Sequence, residues 1–501
     1  MHQSMHKRSR RFTTSLALML VLAVAGAVRA QSKGSEDKAA RIDALLERYQ
    51  QLGLFNGSAL VAERGRLLLD KGYGMADFEM GVPNSAATKH WIGSVTKIFT
   101  ATAVLRLADE GKLSLDDRLS DLLPWYRKDT GARVSVRQLL NHTSGIPDYM
   151  HLPGIGREGF RRAVGDDLVD VKDFALKWCS ADLAWEPGTK WGYSNSGYFL
   201  LAAIVEQVTG KPYEEALREL VLDPAGMRDT EDLARRPRAV VPGLTPGYEK
   251  AGGKVVTRRP WNLSTAFGAG AMVATVDDLY RFDRALDREG FLSGKSMEAM
   301  FTEGLGHYGC GWEVRFMAIG PGRTRRTVAG HEGFIFWSLA RIYRIPEDGV
   351  FVALVNNTGD APLPAVFDGI ADLLYGREPA WPKPSAAGAV TALAFDKGAG
   401  AALKRYEEMK AVASGDYLFD EKGLNVLGYA LLQGGKADDA VVVFRCVATS
   451  FPDSGNAWDS LGEGLAAAGR REEAVKAYAR SLELQPSNRN AVERLDALTK
   501  P

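Results

Sequence analysis

The sequence predicts an α/β fold: an antiparallel sheet flanked by helices, an all-helical lobe inserted within it, and a separate α-helical repeat domain behind it. Three observations carry this. Two short apolar strands and a long helix precede a helical middle region; four strand-like segments follow that region; and beyond a Pro-rich stretch the chain repeats itself every 34 residues. With 501 residues the chain is long enough for two or more domains. Its 63 Lys and Arg balance 62 Asp and Glu, which leaves no basic excess to hold a nucleic acid. Cys179, Cys310 and Cys446 are odd in number and far apart, so they read as buried small residues rather than a disulfide framework or a metal cluster.

Residues 1–30 read as a secretory signal peptide. Lys7, Arg8, Arg10 and Arg11 form the basic region, Leu16–Val28 the apolar one, and Val28-Arg29-Ala30 the small-x-small cleavage site. The apolar run is short for a membrane span. A secreted or periplasmic protein with no stable span after cleavage is therefore expected. Ser35–Gln51 is an amphipathic helix with Ile42, Leu45, Leu46 and Tyr49 on one side. Gly57–Ala62 and Arg66–Asp70 are strands joined at Glu63-Arg64-Gly65.

Trp91–Thr100, WIGSVTKIFT, leads into an apolar helix. Ser94 stands at its N-terminus, where free N–H groups favour a developing alkoxide, and Lys97 lies one turn on, on the same face. That is the Ser-x-x-Lys logic of acyl transfer. The pattern by itself is weak, since Ser4/Lys7 and Ser35/Lys38 also satisfy it. In HTSGIPDY, residues 142–149, His142 and Ser144 read as a helix end with a polar turn rather than a Ser–His pair. Glu186–Tyr198 is a loop dense in glycine and aromatics that runs into the apolar helix Phe199–Val208. Gly268–Thr275 reads as a strand entered through glycines, with Thr275 capping the helix Val276–Leu286. Gly309–Phe316, Arg325–Ala329, Phe334–Tyr343 and Val350–Asn356 read as successive strands.

Glu378–Gly388 holds three prolines and a glycine, and residues 378–396 read as a linker between a domain over 31–377 and a repeat domain over 397–501. Leu427, Gly428, Leu431, Gly435, Ala440, Phe444 and Pro452 return as Leu461, Gly462, Leu465, Gly469, Ala474, Tyr478 and Pro486. With Trp458 heading the second copy, the spacing resembles tetratricopeptide repeats, at about 421–454 and 455–488, with helices Gly398–Val412 and Arg489–Thr499 covering the ends.

Ser94-Val95-Thr96-Lys97, Tyr193-Ser194-Asn195 and His331-Glu332-Gly333, in that order, resemble the three motifs of the serine β-lactamase and penicillin-recognising family, in its class C, D-alanyl-D-alanine carboxypeptidase and esterase branch. The resemblance covers about residues 36–370. His307-Tyr308-Gly309 competes for the third motif, and His331 is preferred because it lies late in the domain, just before a predicted strand. The resemblance implies that Ser94 is the nucleophile, that Lys97 helps take its proton and keeps the site positive, and that Tyr193 acts as general base or acid with a pKa lowered by neighbouring cations. It implies that Asn195 orients the substrate amide or Lys97, that His331 and Gly333 line the substrate side, and that the N–H groups of Ser94 and Phe334 form an oxyanion hole. No metal or cofactor is implied.

One departure concerns the substrate. Relatives that bind a carboxylate place a hydroxyl residue where this chain has Glu332. A secreted hydrolase acting on an ester or amide, on a small molecule or peptide, is therefore expected ahead of a peptidoglycan carboxypeptidase or β-lactamase. A binding or sensor protein, with a weakly active pocket and repeats that recruit a protein or peptide, is the reading from another class.

Overall fold

The computed structural model describes residues 36–499 except 153–154, 237–238, 252–253 and 258–260, so the expected signal peptide lies outside the described residues. The chain divides into two units: the first runs to Tyr248 and resumes over Thr257–Ala380, and the second takes Trp381 onward with the short segment Glu249–Val256.

The first unit is built on a six-stranded sheet. Its strands are β1 (Gly57–Glu63), β2 (Arg66–Tyr73), β3 (Glu313–Ala318), β4 (Arg325–Ile335), β5 (Ser338–Ile345) and β6 (Val350–Asn356), in the spatial order β3-β4-β5-β6-β1-β2. Every pairing within it is antiparallel. The strands alternate as a two-sided sheet requires. Ala59, Val61, Val352 and Leu354 face the helix over residues 36–51 and a C-terminal helix, Leu363–Leu374. Leu60, Ala62, Ala353 and Val355 face the helical lobe. Both faces are covered, which is why β1 and β6 read as unbroken apolar runs.

The lobe contributes the helices α1 (Thr96–Asp109), α2 (Asn195–Thr209) and α3 (Val276–Leu286). Ser194 caps α2 by accepting from the Gly197 N–H, and Thr275 caps α3 by accepting from the Asp278 N–H at 3.2 Å. Phe99, in α1, packs on Phe282, in α3. A second, three-stranded sheet pairs His90–Trp91 and Glu231–Asp232 with Met272–Ala274. It ties the segment before α1 to the Gly268–Gly270 stretch, and the Ile92 N–H donates to the Met272 carbonyl at 3.1 Å.

The strand boundaries around the third motif differ from expectation. β4 runs without a break from Arg325 to Ile335, through His331. The hairpin turns at Phe336-Trp337, both with positive φ, 48° and 59°, as a two-residue turn between right-twisted strands demands. The sequence reading put the break at the glycines and ran the strand through the aromatics. Gly330 and Gly333 are in the strand because a Cβ there would overlap the carbonyl oxygens of Ile342 and Ile92.

The second unit is all helical. Its helices are α4 (Ala386–Lys397), α5 (Ala399–Ala413), α6 (Glu421–Gln433), α7 (Ala437–Ser450), α8 (Gly455–Ala467), α9 (Arg471–Leu484) and α10 (Arg489–Thr499). The expected linker over 378–396 is therefore too long: Ser385 caps a helix that begins at Ala386 and buries Val390 and Ala394 in this unit's core. The prolines before that cap and Gly388 in the helix's first turn masked the helix start. The 34-residue spacing recurs in contacts. A Cβ on Gly428 would run into the Phe444 ring, and one on Gly462 into the Tyr478 ring, so each glycine seats the aromatic of the following helix. Asp420 and Ser454 cap the corresponding helices, α6 and α8.

Candidate active site

Ser94 lies in a single 3-10 turn, Gly93–Val95, directly before α1, with the positive end of that helix behind it. Two glycines press this turn against β4. Gly93 has φ +51°, and a Cβ on it would stand 2.7 Å from the Phe334 nitrogen. A Cβ on Gly333 would stand 2.9 Å from the Ser94 nitrogen. The main-chain nitrogens of Ser94 and Phe334 thus share one narrow seam, while the Phe334 side chain is half exposed.

Lys97 is completely buried. Its Nζ donates to Ser94 Oγ at 3.1 Å, to Asn195 Oδ1 at 2.9 Å and to the Ala269 carbonyl at 2.7 Å. It also lies over the rings of Tyr193 and Tyr198, 4.9 and 5.6 Å from their centroids. Burial pushes its pKa down to about 7, with the Asp148 carboxylate pulling it back up. An amine so poised exchanges a proton near neutrality instead of holding a permanent charge.

Asn195 begins α2 and reaches back to two groups. Its carbonyl oxygen meets Lys97, and its Nδ2 donates to both carboxylate oxygens of Asp148 at 3.3 and 3.2 Å. Asp148 also accepts from the Met150 N–H at 3.2 Å and faces His151 Nδ1 at 3.0 Å.

Tyr193 is hydrogen-bonded to Ser94 through its hydroxyl. Its pKa runs opposite to expectation. Burial raises it, the Ser94 bond offsets this in part, and Asp148, Glu313 and Glu332 raise it further. Desolvation and the carboxylates together outweigh the Ser94 bond. Tyr193 is a neutral phenol rather than a phenolate.

His331 is buried, and both ring nitrogens are engaged. Nδ1 lies 2.6 Å from the Glu332 carbonyl oxygen, which can only accept, so Nδ1 carries the hydrogen. Nε2 then accepts from the Tyr308 hydroxyl at 2.8 Å. Burial, with Lys97 and Arg341 adding to it, pushes its pKa down to about 3, against the bond to the Glu332 backbone. His331 lines the cleft as a neutral ring.

Four groups of this site have no role in the sequence reading. Tyr308 belongs to the competing His307-Tyr308-Gly309 motif; His307 is exposed beside Glu303, while Tyr308 is buried against His331. His142 is in the left-handed region, φ 60°, as a polar turn at a helix end requires. It is nevertheless buried, 4.5 Å from the Tyr193 ring and 4.6 Å from the Tyr308 ring, with Nδ1 accepting from the Ser194 N–H at 3.2 Å. Asp148 and the Ala269 carbonyl complete the set. The one available signal was that Asp148 lies six residues from His142 within the motif-like phrase HTSGIPDY.

Ser94, Tyr193, Asn195, His331 and Phe334 line one cleft of about 650 Å³. Tyr149, Trp261, Phe336 and Trp337 supply apolar walls. Glu332 lies at the rim, ion-paired to Arg341, which also reaches Glu313 at 3.1 Å. Among the described residues no cluster of side chains could hold a metal ion, and no helix is long and apolar enough to cross a membrane.

Comparison with known proteins gives the same frame. The family model described as Beta-lactamase matches residues 39–377. The chain is 28% identical over 365 residues to Penicillin-binding protein 4* of Bacillus subtilis (strain 168), covering 68% of this chain and 77% of that one. It is 37% identical over 215 residues to Esterase EstB of Burkholderia gladioli, covering 41% of this chain and 54% of the esterase. Among solved structures, D-amino acid amidase from Ochrobactrum anthropi SV3, complexed with D-phenylalanine, superposes with a TM-score of 0.56 at 26% identity, covering 68% of this chain and 99% of the amidase. The chain spans as little as about half the length of the curated relatives it matches.

Proposed function

Because this chain belongs to the Beta-lactamase family, we propose that it is a serine hydrolase working through an acyl-enzyme on Ser94, with an ester or amide lacking a nearby carboxylate as its substrate. The observation that carries the reading is the buried Lys97 amine, with a pKa of about 7, in hydrogen-bond contact with Ser94 Oγ. Neutral Lys97 accepts the Ser94 proton as Oγ bonds to the substrate carbonyl carbon. The carbonyl oxygen takes the negative charge against the N–H groups of Ser94 and Phe334, a contribution of roughly 3 kcal/mol per donor. Tyr193, protonated, donates to the leaving oxygen or nitrogen and is recharged from Lys97 through the hydroxyl network. Water then attacks the ester carbonyl and gives its proton to Lys97; that proton passes to Ser94 Oγ as the bond to the acyl carbon breaks and the acid leaves.

The substrate preference rests on Glu332. Its carboxylate at the rim, clamped to Arg341, repels an incoming anion, and neutral His331 supplies no cation to offset it. The esterase and the amidase among the relatives agree with an uncharged or amine-bearing acyl donor. The name penicillin-binding protein on another relative keeps D-alanyl-D-alanine carboxypeptidase and β-lactamase activity as the second reading. A panel of p-nitrophenyl esters, D-amino-acid amides and nitrocefin, with Ser94→Ala as control, separates them. Ester or amide turnover that Ser94→Ala abolishes is the expected result. Efficient nitrocefin turnover would overturn the substrate assignment, and Ser94-independent turnover the mechanism.

The basic and apolar segment at residues 1–30 supports export to the periplasm or the medium. The 34-residue repeat supports tetratricopeptide-type recognition of a protein or peptide by the helical unit.

A further inference from the structure

We propose that Asp148 is a positioning residue for the reaction, acting on Lys97 through Asn195. This rests on the reading of Ser94 and Lys97 given above. The chain of contacts is continuous. Ser94 Oγ meets Lys97 Nζ at 3.1 Å, Lys97 Nζ meets Asn195 Oδ1 at 2.9 Å, and Asn195 Nδ2 meets the two Asp148 oxygens at 3.2 and 3.3 Å.

A free amide has two orientations of nearly equal energy, and only one offers an acceptor to Lys97. The Asp148 carboxylate accepts but cannot donate, so it holds the NH₂ end toward itself and the oxygen toward Lys97. Turned the other way, the amide would set its NH₂ against the Lys97 amine and its oxygen against a carboxylate. Asp148 therefore fixes which end of Asn195 the amine sees.

Asp148 also acts through space. Among the described residues it is the one carboxylate that pulls the Lys97 pKa upward against burial. The other groups around that amine are neutral or oppose it. The Ser94 and Tyr193 hydroxyls, the Tyr198 ring and the Ala269 carbonyl carry no charge. His142 and His331 are buried beside it with their pKa values pushed down. Without Asp148 the amine would lose its proton at a lower pH and the amide its orientation.

The test is a titration of Lys97 in the full-length protein. The enzyme is labelled with [ε-13C]lysine, and the Lys97 resonance is assigned by its loss in Lys97→Arg. Asp148→Asn keeps an acceptor for the Met150 N–H and so keeps the cap of the following turn. Asp148→Ser serves as a second variant should the first not fold. The proposal expects the Lys97 midpoint to fall by roughly one pH unit in either variant. It also expects the wild-type value in Asp148→Glu, and a drop in kcat of about tenfold with a smaller change in KM. An unchanged Lys97 midpoint in a folded Asp148 variant overturns it, whether or not any substrate is turned over. Loss of the Ser94 nucleophile reading would instead appear as hydrolysis insensitive to Ser94→Ala.

Discussion

The Tyr308 hydroxyl donates to Nε2 of His331 at 2.8 Å, and both residues are buried. The Glu332 carbonyl fixes the hydrogen on Nδ1, and this bond then occupies the remaining ring nitrogen of the third-motif residue. A histidine that hydrogen-bonds a carbonyl with one nitrogen and accepts a phenol with the other has no site left for a second proton. Tyr308→Phe removes the donor and leaves a buried acceptor unmatched. We expect a loss of about 1–3 kcal/mol in urea unfolding, larger than for a Tyr→Phe change at a tyrosine whose hydroxyl faces solvent.

The Lys97 amine gives the reaction and the fold linked pH responses of the same sign. With a pKa of about 7 in the folded protein, the amine is free to accept the Ser94 proton only above that pH. The kcat/KM for a p-nitrophenyl ester should rise through pH 7 to a plateau, and a profile falling across pH 7 would contradict the assignment. In the unfolded chain the same amine holds its proton up to its ordinary value of 10.5. Below pH 7 both states bind the proton; between 7 and 10.5 only the unfolded chain does, so this residue's contribution to stability improves as pH rises. Lys97→Met lacks that dependence. From pH 7 to pH 9 the wild type should gain about 2 kcal/mol relative to Lys97→Met in urea unfolding.

Gly333 is where β4 and the Ser94 turn touch. A methyl group there would meet the Ile92 carbonyl and the Ser94 nitrogen, both main-chain atoms that cannot swing aside. Gly333→Ala should therefore lower kcat for ester hydrolysis by at least about 10²-fold and cost about 1–3 kcal/mol of stability. Activity close to wild type would mean that the seam is wider than its two glycines indicate.

Glu332→Thr puts a hydroxyl where carboxylate-binding relatives carry one and leaves Arg341 paired with Glu313 alone. Acylation by nitrocefin, followed by mass spectrometry at Ser94, should speed up by roughly tenfold, the effect of about 1.4 kcal/mol. No change would move the discrimination elsewhere in the cleft.

What could be read from residues alone was local. Ser94 and Lys97 are one helical turn apart, so their contact follows from geometry. The order of the three motifs brought Tyr193, Asn195 and His331 to the same place, and the antiparallel sheet with its helical lobe followed from strand and helix periodicity. What escaped was non-local. Asp148 and Tyr308 gain their meaning from partners 47 and 23 residues away. The direction of the Tyr193 pKa depends on burial and three carboxylates outweighing the Ser94 hydrogen bond, a balance between distant elements that spacing does not encode. The β4–β5 turn escaped because its glycines serve close approach while two aromatics turn the chain.

That turn divides the labour of the first unit. Phe336 and Trp337 wall the cleft from the tip of a two-residue hairpin, while Ser94, Lys97 and Asn195 sit on the starts of two buried helices. Gly359 and Gly247 leave room for the tip, one against the Trp337 side chain and the other against the Phe336 carbonyl. The aromatic walls at the hairpin tip and the Ser94–Lys97–Asn195 contacts therefore lie on separate pieces of chain, joined only where Gly333 and the Phe334 nitrogen meet the Ser94 turn.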